Sequence, residues 1–594
     1  MKHFNLLNIS LGWLAFAIAT VTYLLTMEPT ASFWDCGAFI TSAYNLELSH
    51  APGAPLYMLT GRLFALFASD PSTVAWWVNA MSALLSAFTI LFLFWTITHL
   101  ARKIIIKDEE SYTTANIIGI LGAGMVGALA FTWSITFWFS AVEAEVYAYA
   151  SFFTAIVFWL ILKWEDNADK PGSDRWLILI AYMMGLSIGV HLLNLLTIPA
   201  IVLVYYFKKY QPSAKGLITA LGVSVVILGL VLYGFVFGMV EIAIWFELLF
   251  VNVFGFAFNS GVLAYIILLV AVLSWAIYET YTAKNKIRVA VSFILGVSFM
   301  GIPFVNGNIW IGVVLISALT GFFVWKKAVV PTRWLYTTIV MITVLFIGFS
   351  TYTATVIRSM ANPTLDQTSP DNIFALRSYL SREQFGSTPL LWGPTFNAPP
   401  RFSGMERVED GFIPIPEMRQ GRAIWAKAPR LTPECRDRYI IVGHRQEVVA
   451  DERFNMFFPR MHSSTDHHVD GYMRWARIQG RTIHYDVFGH RRSQLKPTFA
   501  ENMRFFFHYQ LGFMYWRYFM WNFSGRQNDI QGQGEIEHGN WITGFRFIDD
   551  FLVGCQRTLP TEMLENRGRN RYYMLPLLLG ILGILFLLNS GKKG

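Results

Sequence analysis

Charge is what this sequence has least of. Only 14% of its 594 residues are Asp, Glu, Lys or Arg, against about 25% in soluble domains. A chain this long can bury a large core, but a soluble protein must still cover its outside with polar groups. This one can do so over only part of its length. Cysteine is nearly absent as well. Cys36, Cys435 and Cys555 have no zinc-type spacing, and an odd count leaves at least one thiol free. A Cys435–Cys555 disulfide is allowed but not indicated, so a disulfide-framed scaffold is excluded. No low-complexity tract or short-period repeat is present.

What the chain has is apolar and aromatic surface: 54% hydrophobic residues, 16% aromatic, and a mean hydropathy of +0.42. The net charge of +8 would suggest nucleic acid in a soluble protein. In a membrane protein it reads first as cytoplasmic Lys and Arg holding topology, and no nucleic-acid partner is expected.

Crossing a bilayer takes about 20 apolar residues. Such runs lie at 9–27, 76–99, 115–138, 147–163, 176–194, 195–207, 216–240, 261–280, 289–305, 308–325, 334–357 and 573–590. Alternate connections carry Lys2; Arg102, Lys103 and Lys107; Lys163, Lys170 and Arg175; Lys208, Lys209 and Lys215; Lys284, Lys286 and Arg288; Lys326, Lys327 and Arg333; and Lys592 with Lys593. The short connections at 139–146, 241–260 and 306–307 carry none. That asymmetry predicts an α-helical polytopic membrane protein of about 12 transmembrane helices with a cytoplasmic N-terminus. The first segment is read as a retained helix, not a signal peptide, because its apolar part is long. Three regions follow: a transmembrane domain over 1–357 with a first outer loop at 28–75, an extracytoplasmic region over 358–572 of mixed α/β or α+β character, and a terminal helix and tail over 573–594. Within the outer region, 503–523 (MRFFFHYQLGFMYWRYFMWNF) is aromatic but interrupted by Arg504, His508 and Arg517. An interfacial helix and a packed core element both remain open.

The polar residues that stand out all fall on the outer face or at outer helix ends. Asp35 follows the first helix in Phe33-Trp34-Asp35-Cys36-Gly37. A carboxylate shielded there from water has a raised pKa and can act as a base; the plainer reading is a helix cap. His50 precedes Pro52-Gly53-Ala54-Pro55, a run that fixes a sharp turn. Glu143, Glu145 and Tyr147 share one short connection without a cation, which is costly unless they face water, a metal or a partner. Helix capping is the alternative. His191 and Asn194 sit near the outer end of the fifth span, where a lone His more often packs than binds. Arg358 and Arg382 follow the exit of the eleventh span, and Arg62 closes the motif-bearing stretch of the first loop. Such arginines either snorkel or grip phosphate oxygens. His462, Asp466, His467, His468 and Asp470 match no strong metal spacing, and no metal ligand is assigned. A transporter would place ionisable residues near mid-membrane, with broken helices or a repeat; neither is visible, and the spans read as a charge-free scaffold.

FWDCGAFITSAYNLELSHAPGAPLY, VEAEVYAY and NPTLDQTSPDNIFALRSYLSREQFG resemble a family common in Bacteroidota and long labelled as of unknown function. Its vertebrate relative is a protein O-mannosyltransferase of plexin-type receptors. The architecture resembles the GT-C superfamily of polyprenyl-phosphate-sugar-dependent glycosyltransferases. The resemblance implies Asp35 as catalytic base; Arg358 first, then Arg62 and Arg382, on the donor phosphate; and His50, Glu143, Glu145, Tyr147, His191 and Asn194 around the substrates. It implies a polyprenyl-phosphate-linked sugar donor, the sugar a hexose such as mannose, an exported protein accepting the sugar on Ser or Thr, and a bacterial inner membrane with the active site facing the periplasm. No cofactor is expected, with a divalent cation left open, since some superfamily branches use one. Family members are longer than this chain, so a shortened member or a piece of a longer protein is expected. The rivals are a same-fold transferase acting on a lipid or glycan, and a non-enzymatic scaffold or translocation component.

Overall fold

Where water is absent, a chain must satisfy its backbone internally, and apolar runs therefore fold as helices. The computed structural model describes residues 2–325, 330–386, 388–408, 411–430, 432 and 435–589. Packing divides the chain into two units: Met1–Phe385 with Trp425–Ile440, and Gly386–Ile424 with Ile441–Gly594.

In the first unit the helices run α1 (Lys2–Thr26), α2 (Cys36–Asn45), α3 (Pro55–Ala65), α4 (Val74–Ile105), α5 (Thr114–Thr132), α6 (Ile135–Ala141), α7 (Val146–Asn167) and α8 (Asp174–Ile188). Further helices continue to Ile373–Leu380. Among the described residues eight helical stretches are long and apolar enough to cross a membrane, including Leu192–Lys209, Ala214–Val253, Ser260–Thr282 and Thr332–Ser359. The protein is thus a mostly helical, polytopic membrane protein. Four of the twelve expected spans fall short of that length: Asp174–Ile188, Lys286–Phe299, Ile309–Trp325 and Leu575–Asn589.

Small residues bring α1 and α4 together. Ala15 and Ala19 on one, Ala83 and Ala87 on the other, are all fully buried in one cluster with Tyr23, Ile90 and Phe94. In lipid such close backbone approach is a main source of helix association. A larger cluster joins α7 and α8 to the helices of residues 214–349, around Trp164, Met184, Leu269 and Ile339.

Connections expected on the cytoplasmic side pair with one another: Arg102 with Asp166 (2.9 Å), Lys209 with Asp169 (3.1 Å) and Arg333 with Asp174 (2.7 Å). Those helix ends therefore share one end of the bundle. Lys326, Lys327, Lys592 and Lys593, which the topology reading also used, lie outside the described residues.

One expectation is corrected here. The span read as ending at 240 continues, through π-helical stretches at Leu230–Val236 and Leu249–Val253, to Val253. It carries Glu241 and Glu247, so the spans are not charge-free. Glu241 meets Arg377 at 3.1 Å, and both are buried. Glu247 accepts hydrogen bonds from the N–H groups of Asn259 (2.6 Å), Gly261 (3.0 Å) and Val262 (3.1 Å), and from the Tyr439 hydroxyl (3.1 Å). Each buried charge is compensated, which is why the helix tolerates it.

The second unit is built of two-stranded sheets and short helices. Arg481–Val487 pairs antiparallel with His490–Lys496, and Trp392–Pro394 with Asn455–Phe457. The aromatic stretch 503–523 lies in one helical run over 499–523, π-helical across Phe506–Trp516. Phe505, Phe513 and Met520 are buried while Phe507, Tyr515, Trp516 and Tyr518 are exposed. The stretch therefore has packed residues and exposed ones along the same helical run. Leu575–Asn589 is apolar on every side, with no residue buried.

The α1–α4 contact leaves no room for added volume. Ala87→Leu is expected to cost roughly 1–3 kcal/mol by over-packing, lowering the thermal unfolding midpoint in detergent. Leu6→Ala, on an exposed face of α1, should leave it unchanged.

Candidate functional site

The first outer loop is held at three points before any of its polar groups can act. At its start, Asn79 of α4 donates to the carbonyls of Glu28 (2.6 Å) and Thr30 (2.9 Å). In its middle, Leu48 forms a parallel bridge with Asp366, with Leu48 N–H donating to Leu365 O at 2.9 Å. At the proline turn, the fully buried Tyr379 hydroxyl reaches the carbonyls of Ser49 (3.2 Å) and His50 (3.3 Å). Gly53 sits against that phenol with φ +74°, and a Cβ there would come within 2.5 Å of the hydroxyl oxygen. Only glycine fits both demands.

This framework brings Asp35 and His50 together across fifteen residues of chain. His50 Nε2 lies 3.1 Å from Asp35 Oδ1, with both side chains about half exposed (44% and 53%). Asp35 occupies the N-cap position of α2, yet its side chain makes no cap hydrogen bond. Phe33 and Trp34 project outward, 84% and 90% exposed, so the shielding expected around Asp35 is not provided by its neighbours.

The shielding falls instead on the second carboxylate pair. Glu143 is 7% exposed; burial pushes its pKa up, opposed by hydrogen bonds from Ser32 and Cys36. Glu145 is pushed up to about 7, chiefly by burial; the Val146 N–H opposes the shift, and the charges of Asp35 and Glu143 add to it. Its carboxylate accepts from Val146 N–H at 2.9 Å, at the N-cap of α7. The Cys36 thiol is pushed up to about 12 by burial and by Glu143, Glu145 and Asp35. It is therefore an unreactive donor rather than a nucleophile. Two clusters far apart in sequence thus form one acidic site, and Ser32 and Cys36 are members the sequence reading passed over. The only signal was that Cys36 directly follows Asp35.

A third element closes on the same loop. Leu56 N–H donates to Gly189 O (2.9 Å), and the Tyr352 hydroxyl to Ile188 O (3.3 Å). His191 follows, its ring 5.7 Å from that of Tyr147. Its pKa is lowered by burial first and by the Arg382 charge second. Arg382 lies over the Phe385 ring at 4.8 Å and has no ion pair among the described residues.

The other arginines are engaged with backbone. Arg358 donates from Nε to Leu46 O (2.7 Å) and from Nη2 to Asn45 O (3.3 Å), while Arg62 donates to Tyr44 O (2.5 Å). Both cap the carbonyl end of α2. Asn194 is fully buried, accepting from Thr154 (2.6 Å) within the bundle. Among the described residues no group of three or more His, Cys, Asp or Glu side chains is arranged to hold a metal ion, and His468 instead meets Ser463 at 2.8 Å.

Comparison with known proteins bears on this region. Residues 35–214 match the family model described as the protein O-mannosyl-transferase TMEM260 N-terminal domain. Residues 386–507 match a family described as of unknown function. The protein O-mannosyl-transferase tmem260 of Dictyostelium discoideum is 25% identical over 201 residues, or 33% of this chain. The TMEM260 protein of Mus musculus is 29% identical over 174 residues, or 29% of this chain. Each match covers 22% of the relative's length.

Glu145 gives the site a pH signature. Its proton is held more tightly in the folded protein, at about 7, than at the ordinary value of 4.5. The resulting stabilisation is complete below pH 4.5 and is lost as pH rises through about 7. Thermal unfolding followed from pH 4 to 8 should show that loss in the wild type, and Glu145→Gln should flatten it. An unchanged profile would remove Glu145 as the titrating group.

Proposed function

We propose, for a chain whose residues 35–214 are related to the TMEM260 protein O-mannosyl-transferases, that it is a membrane protein O-glycosyltransferase with Asp35 as its catalytic base. The observation that carries this reading is the Asp35 carboxylate: at an N-cap position but not used as a cap, half exposed, and met by His50 at 3.1 Å. A capping aspartate would be hydrogen-bonded to its helix; this one is left available to a substrate.

In this reading a hexose such as mannose passes from a polyprenyl-phosphate donor to a Ser or Thr hydroxyl of an exported protein. Asp35 takes the hydroxyl proton as the oxygen attacks the anomeric carbon, and the bond to the phosphate breaks in the same step with inversion. His50 holds the base in orientation. Glu143 and Glu145, the latter able to carry a proton near neutral pH, hydrogen-bond sugar or acceptor hydroxyls. Positive charge must meet the departing phosphate. Arg382 is the first choice because Arg358 and Arg62 already serve the α2 carbonyls; those two fix the helix that carries Asp35. Tyr147 and His191 line the approach. The guanidinium supplies the charge, so the reading needs no cofactor. A GT-C-like bundle of twelve spans in a bacterial inner membrane, N-terminus inside and this site facing the periplasm, accommodates all of these roles.

The test is a deletion strain complemented with wild type or Asp35→Asn, read by mass spectrometry of exported proteins and envelope lipids. Wild type should restore a hexose on Ser or Thr, and the membrane-inserted Asn variant should lose at least 100-fold of it. Equal restoration makes Asp35 structural and ends this mechanism. Hexose restored on lipid alone makes the acceptor a lipid.

A further inference from the structure

The second unit contains a cavity of about 490 Å³ whose lining includes Arg474, Trp475, Arg477, Arg504 and His508, together with the turn at 533–535. Volumes of this order take small organic ligands. Three arginines therefore line one open depression, all of them exposed to solvent, and an anion bound there would meet positive charge from several sides. The protein supplies little compensation. Glu535 is the one carboxylate in the lining, and it is committed to its own turn. It accepts from Gln533 N–H at 2.6 Å and lies 3.1 Å from His538.

The backbone that carries these residues is held in place by its surroundings. Helix Asp466–Ala476 carries Arg474 and Trp475. Arg504 donates to the carbonyl of Ala476, the helix's last residue, at 2.7 Å. The turn after Arg477 is pinned by Glu501, which accepts from Gln479 N–H (2.7 Å) and Gly480 N–H (3.0 Å) while completing the capping box with Thr498. The Trp475 ring packs against Tyr509 (5.4 Å) and Phe513 (5.0 Å). On its other flank lies Gly534, at φ +104°, where a Cβ would come within 2.5 Å of the indole. His508 belongs to the π-helical stretch Phe506–Trp516, and π-helical insertions concentrate at functional sites.

We infer that this cavity is a binding site for a phosphate ester. Guanidinium groups grip phosphate oxygens in a fork and suit a multiply charged anion better than a single carboxylate. The volume exceeds what inorganic phosphate fills, leaving room for an organic part beside the half-buried indole. The ester is either a soluble sugar phosphate or the headgroup of an anionic lipid; both present the same chemistry. The site shares no residue with the acidic cluster of the first unit, so it stands whether or not the transferase reading does.

Calorimetric titration of the full-length protein in detergent distinguishes the sources. The probes are inorganic phosphate, a hexose 1-phosphate and dihexanoyl phosphatidylglycerol, with dihexanoyl phosphatidylcholine as a phosphodiester lacking net charge. Arg474→Gln with Arg477→Gln should weaken the bound ester at least tenfold, and each single variant three- to tenfold. The double Arg→Lys variant should retain more affinity than the double Gln variant. Trp475→Phe should weaken the organic ester more than inorganic phosphate. Binding of the hexose phosphate alone identifies a soluble ligand; binding of phosphatidylglycerol alone identifies a lipid. No binding of any charged probe at millimolar concentration, or affinities unchanged in all the Gln variants, overturns the site.

Discussion

The buried Tyr379 hydroxyl, wedged beneath the Gly53 turn, is the constraint on which the acidic site depends. It reaches the carbonyls of Ser49 and His50, and so fixes the backbone from which His50 meets Asp35. Tyr379 is itself carried on a helix whose Arg377 is paired with Glu241 in the interior of the first unit. A surface loop thereby inherits the rigidity of the helix bundle. Sites on loops are usually less precise than sites on helices; here the loop is tied by hydrogen bonds from α4, from the 365–367 strand segment and from Tyr379.

The carboxylates of this site differ in burial. Asp35 is about half exposed, Glu143 is almost wholly buried, and Glu145 lies between them, close to neutrality in its titration. Carboxylates placed this close cannot all ionise cheaply, and the protein answers with hydroxyl and thiol donors rather than cations. Ser32 and Cys36 serve Glu143, and the Val146 N–H serves Glu145. Arg358 and Arg62 are turned to α2 carbonyls. The result is a site that holds negative charge and protons together, with the Arg382 charge acting beside it on His191, whose pKa it lowers.

The helices themselves were legible in the sequence, because apolar run length and the rhythm of Lys and Arg report directly on burial in lipid. Asp35, His50, Glu143 and Glu145 could also be picked out in the sequence as separate groups on the outer side. Their meeting was not legible: it depends on Tyr379 and on the Leu48–Asp366 bridge, contacts across more than 300 residues of chain that leave no periodic trace. The continuation of the span through Glu241 was misread for a related reason. A carboxylate looks like a helix end until its partner is known, and Arg377 lies 136 residues away. Arg358 at the outer membrane boundary, and Arg62 through the family resemblance, were expected on the donor phosphate. That both also donate to the carbonyl end of a ten-residue helix could not be read from the sequence.

Tyr439 has a consequence for how the chain is assembled. It belongs to Trp425–Ile440, which packs with the first unit although the chain on either side of it belongs to the second. Its hydroxyl and backbone satisfy Glu247 and Asn252. The chain therefore crosses between units after Phe385, again after Ile424 and again after Ile440. No single cut separates them, and a ribosome that has released only the first 385 residues has not yet delivered the partner that Glu247 waits for. Completion of the membrane unit is in this sense postponed until part of the second has been made, which makes the two halves one unit of biosynthesis.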